Sequence, residues 1–204
     1  KGEADPPPIA IISAIYYLSR ETIKTLLYKS KKISTNGIHK MNIKVGSIFP
    51  ENSIYFYNEG IMKKTITTSL FSKKKVIVIG MPGAFTPTCS NYHIPSIIKQ
   101  MSNFKMHGID EIYCLVVNDI HVTKVWAEQT GGANSGLNFI TDTNSSLVNK
   151  LKLSYNAPDI GLINRSKRFC IVLNNLIIKK ILVEEERGVC DLTSGENILT
   201  QLDK

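Results

Sequence analysis

Apolar positions along the chain recur with two different periods, and the switches between them outline the fold. Ser53–Tyr57 and Lys63–Thr68 alternate apolar with polar residues around Asn58-Glu59-Gly60, which predicts a hairpin of two half-buried strands. Val76–Ile79 is a continuous, largely β-branched run closed by Gly80, the pattern of a strand covered on both faces. The period then lengthens: Tyr92, Ile94, Ile97, Ile98 and Met101 share one face of a helix predicted from about Pro87 to Phe104. Glu111–Val117 predicts a second buried strand, Val122–Gln129 a helix with Trp126 on its apolar side, Asn138–Thr141 a short strand and Leu147–Leu151 a helix. Tyr155–Asn164 contains Pro158 and Gly161 and is expected to be a loop. Phe169–Leu173 and Ile177–Val183 predict a hairpin around Asn174-Asn175, and Asn197–Leu202 a closing helix. Strands alternating with helices imply parallel pairing through right-handed crossovers, so the class expected is α/β.

Composition narrows the function classes. A chain of 204 residues with 43% apolar residues suits one packed domain with an extension. The formal net charge is +8, yet residues 1–45 carry eight Lys or Arg against three Asp or Glu, so most of the basicity is N-terminal. The basic residues there do not interleave with aromatics on a recognisable motif, and no zinc-finger or RNP-like pattern occurs, which argues against nucleic acid as a partner. Residues 1–42 are expected to be a targeting leader or flexible extension, and 43–204 the folded domain. Lys1–Pro8 is polar and proline-rich, Ile9–Leu18 is too short to span a bilayer, and Ser19–Lys40 is rich in Lys, Ser and Thr with Glu21 its sole acid. A signal-like run followed by a transit-like run is similar to the two-part leader of proteins sent to a secondary plastid. Mitochondrion or cytoplasm are the competing destinations, and an amphipathic helix through Ile15, Leu18, Ile23, Leu26 and Leu27 is the competing structure. No membrane partner is expected for the folded domain. Cys89, Cys114, Cys170 and Cys190 are widely spaced without a C-x-x-C pair, and the four histidines lack ligand spacing, so neither a disulfide scaffold, a metal nor another cofactor is expected.

The chemistry concentrates just after the first buried strand. Pro82-Gly83 breaks that strand, and Thr86-Pro87 is a helix-start signal: the hydroxyl can cap free amides, and Pro fits the first helical position. Cys89 is thereby expected in the first helical turn, where the dipole and unpaired N–H groups favour a thiolate. A buried structural thiol is the commoner fate of a free cysteine, but polar Thr88, Ser90 and Asn91 surround this one.

Pro82-x-x-x-Thr86-x-x-Cys89 resembles the active-site motif of the peroxiredoxins, and Met81-Pro-Gly-Ala-Phe-Thr-Pro-Thr-Cys-Ser90 with His93 and Pro95 resembles their peroxiredoxin-5 or type II subfamily. The resemblance continues through Glu111–Asn118 and Arg165-Ser-Lys-Arg-Phe169, over roughly residues 43–204. It implies a thioredoxin-like fold, here extended by the N-terminal β-hairpin, and a peroxidase of the organelle-targeted, apicoplast-like kind.

Peroxide reduction requires a thiolate, an aligned O–O bond and stabilisation of charge moving to the leaving oxygen. By the resemblance Cys89 is the nucleophile, Thr86 places its hydroxyl beside the sulfur, Pro82 walls off water, and Arg168 supplies a guanidinium from the start of a strand. Strand alternation puts Lys167 and Arg168 on opposite faces, so Arg165 and Lys167 are expected to be solvated or at an interface. His93 is expected to support rather than to react. Cys114, 25 positions after Cys89, is a possible resolving cysteine at the spacing of plant-like type II forms, although it lies in a buried run. Cys190 is near but not at the animal resolving position, and Cys170 is mid-strand. The expected cycle uses Cys89 alone on hydrogen peroxide and small organic hydroperoxides, forming a sulfenic acid that glutathione with glutaredoxin, or thioredoxin, recycles. Resolution through Cys114, or a non-catalytic adaptor or holdase role, is the alternative. A disulfide oxidoreductase is disfavoured because Thr86 replaces the first cysteine of C-x-x-C. The resemblance also implies a homodimer through the active-site end.

Overall fold

The computed structural model describes residues 43–203, so the leader expected in 1–42 lies outside the described residues. A seven-stranded sheet forms the centre, in the order β2-β1-β5-β4-β3-β8-β9. Its strands are β1 (Ser53–Asn58), β2 (Ile61–Ile66), β3 (Lys75–Gly80), β4 (Glu111–Val116), β5 (Asn138–Thr141), β8 (Phe169–Asn174) and β9 (Ile177–Val183). β3, β4 and β5 run parallel, as the alternation with helices predicts, while β8, β9 and the β1–β2 hairpin are antiparallel. The sheet is that of the expected thioredoxin-like fold with its N-terminal hairpin.

Strand alternation divides β3 between two cores. Val76 and Val78 face one side, where the short helices α1 (Thr67–Phe71) and α4 (Ser146–Lys150) contribute Phe71, Leu147 and Val148. Ile77 and Ile79 face the other, against α2 (Ile94–Met106), α3 (Ile120–Gln129) and α5 (Gly195–Leu202), through Ile97, Trp126 and Ile198. No side chain caps the start of α2, whereas Asp119 caps α3 by accepting from the His121 and Val122 amides, both at 2.9 Å.

Three expectations change. Ile66 ends β2, and Thr67 and Thr68 open α1 instead of extending the strand; the Thr67 hydroxyl donates to the Pro50 carbonyl at 2.8 Å, which fixes the turn. Tyr155–Asn164 is not a loop throughout. β6 (Ser154–Ala157) and β7 (Leu162–Ser166) form a separate antiparallel ribbon, with Pro158 and Gly161 confined to the connection, where Gly161 takes φ of 71°. The helix predicted from Pro87 is two pieces: a π-wound turn, Cys89–His93, precedes α2.

Gly80 fixes how the end of β3 meets β8. A Cβ there would lie 2.0 Å from the Phe169 ring, whose neighbour in sequence is Arg168. Gly80→Ala is expected to lower stability by about 1–3 kcal/mol through overpacking. Urea unfolding checks this, with a lower midpoint at unchanged m-value as the expected result.

Candidate active site

The sheet's parallel strands end where the chemistry-bearing loop begins. Met81 still joins the ladder, its N–H donating to the Leu115 carbonyl at 3.0 Å, and the chain then turns through Pro82 and Gly83. The segment following β4 holds this turn. Asn118 Oδ1 accepts from the Ala84 N–H at 2.9 Å, and Arg165 Nη1 donates to the Val117 carbonyl. Gly83 sits between these anchors: a Cβ on it would lie 3.4 Å from Asn118 Oδ1 and 3.9 Å from Arg165 Nη1. Of the two places expected for Arg165, in solvent or at an interface, the first does not hold: it is half-buried and tied to the loop. Phe85 takes the left-handed conformation, φ of 61°, and its ring is 51% exposed.

Helical winding begins at Pro87, which places Cys89 in the first turn. The Thr86 carbonyl accepts the Ser90 N–H at 3.0 Å, but its hydroxyl does not cap the helix. It donates instead to the Gly83 carbonyl at 2.9 Å, because the tight turn brings that acceptor three residues back. The proton is thereby committed, and the oxygen lone pairs are left to accept. Beyond Cys89 the turn widens: the Ile94 N–H donates to the Cys89 carbonyl, a five-residue spacing that is rare and concentrates at functional sites. Trp126 Nε1 pins the same turn by donating to Ser90 Oγ at 3.0 Å, and Thr88 Oγ1 donates to the Gly188 carbonyl at 3.2 Å. The Cys89 side chain is fully buried, packed with Ile79, Cys114 and Ile94 in one cluster.

Arg168 enters from the segment just before β8. It is only 3% exposed, whereas Lys167 is exposed, the opposite facing that alternation predicts. Its Nη1 donates to His93 Nδ1 at 2.9 Å. A guanidinium has no acceptor, so Nδ1 carries no proton and Nε2–H donates to the Thr193 carbonyl at 2.7 Å. Thr193 is held in turn by buried Glu184, whose Oε1 accepts from the Thr193 N–H at 2.8 Å and from its hydroxyl at 2.9 Å. The Glu184 N–H closes the chain on the Arg168 carbonyl at 3.0 Å. Cys114, Tyr155 and Cys190 each feel both the Cys89 sulfur and the Arg168 charge, so sulfur and guanidinium share one electrostatic neighbourhood. Beside them, a cleft of about 150 Å³ is bounded by Pro82, Thr86, Thr88, Leu162, Arg168 and Arg187. The structure thus gathers Cys89, Thr86, Pro82 and Arg168 at one end of the sheet.

His93 is kept neutral. Burial first, and the adjacent Arg168 charge second, bring its pKa down from 6.5 to about 3. The unfolded chain takes up this proton near pH 6.5 and the folded chain only near 3, so the contribution is complete above 6.5 and is lost as pH falls toward 3. The slope expected from this group is about 1.4 kcal/mol per pH unit in that window. Urea midpoints measured from pH 7 to pH 4 check it: His93→Gln is expected to flatten the dependence.

The other thiols are poorly placed for exchange. Cys114 and Cys170 flank Ile79 on the two neighbouring strands, both fully buried, and burial pushes both thiols up. Cys190 is half-buried in the connection between β9 and α5, and burial raises it to about 11. Among the described residues no group of three His, Cys, Asp or Glu is arranged to hold a metal ion. The part of His93 in seating Arg168 was expected only as support of an unspecified kind. The place of Arg187 in this cleft, and of Tyr155 in an adjoining pocket shared with Arg168, has no signal in the sequence, since one lies in a polar connection and the other in a segment that Pro158 and Gly161 mark as a loop.

Comparison with known proteins agrees with this geometry. The family model described as Redoxin matches residues 44–199. Peroxiredoxin-2D of Arabidopsis thaliana is 39% identical over 161 residues, covering 78% of this chain and 98% of its own. The chloroplastic peroxiredoxin-2E of the same plant is 33% identical over 165 residues, covering 79% and 70%. The crystal structure of the Plasmodium falciparum antioxidant protein, a 1-Cys peroxiredoxin, superposes with a TM-score of 0.73 at 27% identity, covering 79% of this chain and 99% of that one. On these matches the chain belongs to the Redoxin family and, within it, to the peroxiredoxins, oxidoreductases that reduce peroxides at the expense of thiols.

Proposed function

We propose that Cys89 is the peroxidatic nucleophile, acting on hydrogen peroxide and small organic hydroperoxides. Its thiolate attacks the terminal oxygen of RO–OH; the S–O bond forms as the O–O bond breaks, sulfur is oxidised to a sulfenic acid, and RO⁻ leaves to become the alcohol or water. Arg168 stabilises the charge on sulfur and then on the departing oxygen, because its buried guanidinium keeps fixed donors in a water-poor site. The Thr86 hydroxyl accepts from the peroxide O–H, its own proton being held by Gly83, and Pro82 shields the sulfur without offering an amide. The observation that carries this reading is the seating of Arg168 by His93, the last residue of the turn that Cys89 opens. Brief peroxide exposure in the presence of dimedone, followed by peptide mass spectrometry, tests it: the adduct is expected on Cys89, and an adduct confined to another cysteine overturns the assignment.

An external thiol regenerates the enzyme, glutathione with glutaredoxin being favoured over thioredoxin. Burial of Cys114 in a strand paired on both sides supports this, since bridging it to Cys89 requires both the helix start and the sheet to open. The 1-Cys description of the Plasmodium falciparum relative points the same way. Cys114→Ser is expected to keep at least half of the peroxidase rate with glutathione and glutaredoxin. Loss of that rate favours the cycle resolved through Cys114. The exposed Phe85 and Ile160, near the cleft, support a homodimer through this end. Chloroplastic relatives support a plastid-type organelle, an apicoplast reached through residues 1–42 in the finer reading.

A further inference from the structure

The ribbon that the sequence hides brings one more polar group to the pocket that Arg168 lines. Tyr155 on β6 lies in register opposite Arg165 on β7, the residue that ties the active-site loop to Val117. Its hydroxyl is buried and has no hydrogen-bond partner among the described residues, and the same is true of Arg168 Nε. Buried hydroxyls without partners are costly, so one persisting inside a cleft points to a ligand. Tyr155 lines a second lobe of about 110 Å³ together with Pro82, Lys167, Arg168 and Arg187. Pro82, Arg168 and Arg187 also line the lobe beside Thr86, so the two lobes meet at the guanidinium.

We propose that the Tyr155 hydroxyl donates a hydrogen bond to the oxygen that leaves when Cys89 attacks a hydroperoxide, the organic substituent lying in the lobe it lines. This rests on Cys89 being the nucleophile. The phenol is suited to donate and not to accept: burial, the largest cause, raises its pKa with help from Cys89, and the opposing pull of Arg187, Arg168 and Arg165 does not reverse that direction. In the step, the sulfur pair forms the S–O bond, the O–O pair departs on RO⁻, and Tyr155 and Arg168 share the charge on that oxygen. The proton completing the alcohol comes from solvent at the cleft mouth, where Arg187 is exposed.

Tyr155→Phe keeps the ring and removes only the donor. Stopped-flow rates with tert-butyl hydroperoxide, which expels a strongly basic alkoxide, are expected to fall about ten- to hundredfold. Rates with peracetic acid, which expels a weakly basic carboxylate, are expected to change less than threefold. The ratio of the two losses is internal to one protein, so a folding defect cannot imitate it: equal losses, or no loss with either oxidant, overturn the proposal. Cys89→Ser measured alongside separates the two readings. If it is inert while Tyr155→Phe equals the parent, only the role of Tyr155 fails; if Cys89→Ser reacts with peroxide like the parent, the nucleophile assignment fails first.

Discussion

Cys89→Ser is expected to abolish peroxide-dependent oxidation, with at least a 10³-fold fall in the second-order rate, about 4 kcal/mol of transition-state stabilisation. The replacement changes one atom in a fully buried position, so packing against Ile79 and Ile94 is retained and unfolding should shift by little. What is lost is the soft nucleophile. A serine hydroxyl ionises far outside the physiological range, and no described side chain beside it offers a general base, since the neighbouring His93 has its Nδ1 occupied by Arg168. Stopped-flow mixing with hydrogen peroxide, followed by thiol titration, is the direct check. A holdase or adaptor would be indifferent to this change, and residual oxidation at the parent's rate would remove the peroxidase mechanism from Cys89.

Arg168→Gln is expected to lower the rate by about 10²–10³, the cost of removing one preorganised donor system from developing charge. The residue is 3% exposed, so its charge is opposed by protein rather than water, and the lost stabilisation is not restored by solvent. The same change should be felt at His93. Nδ1 loses its obligate donor and the repulsion of a nearby cation, so the imidazole should protonate more readily than in the parent, while remaining depressed because burial is the larger cause. An NMR titration of the His93 ring beside the kinetic measurement separates the outcomes. A slow enzyme with a shifted His93 matches the proposal; an unchanged rate with a shifted His93 would show that Arg168 serves the fold alone. Arg168→Lys should recover only part of the loss, since an ammonium cannot address His93 and substrate oxygens with separate fixed nitrogens.

Much of this chain is legible before any coordinates. Val76–Ile79, Glu111–Val117 and Phe169–Leu173 announce themselves because central strands are buried on both faces, and continuous apolar runs with Gly or Asn at their ends have few other fates. Thr86-Pro87 marks the helix start, and the resemblance of the Pro82, Thr86, Cys89 spacing to the peroxiredoxin motif points to the chemistry. Local rules fail where a local group has two possible partners. The Thr86 hydroxyl bonds the Gly83 carbonyl in place of a helix amide, and Thr67 opens a helix where the β-branched pattern continues a strand.

Residue order and hydrophobic spacing were enough to place the fold class, the buried strands of the central sheet and the helix start that carries Cys89, because each depends on backbone conformation and burial within a few neighbouring positions. The company Arg168 keeps could be decided only in three dimensions. His93, Thr193 and Glu184 converge on it because β8 lies antiparallel beside β3 and the connection from β9 to α5 folds over the Cys89 turn. Tyr155 likewise reaches the cleft through a ribbon whose strands are too polar to show in a hydropathy pattern. Such contacts join residues far apart in the chain, and their energy appears only once the sheet has set the distances between them.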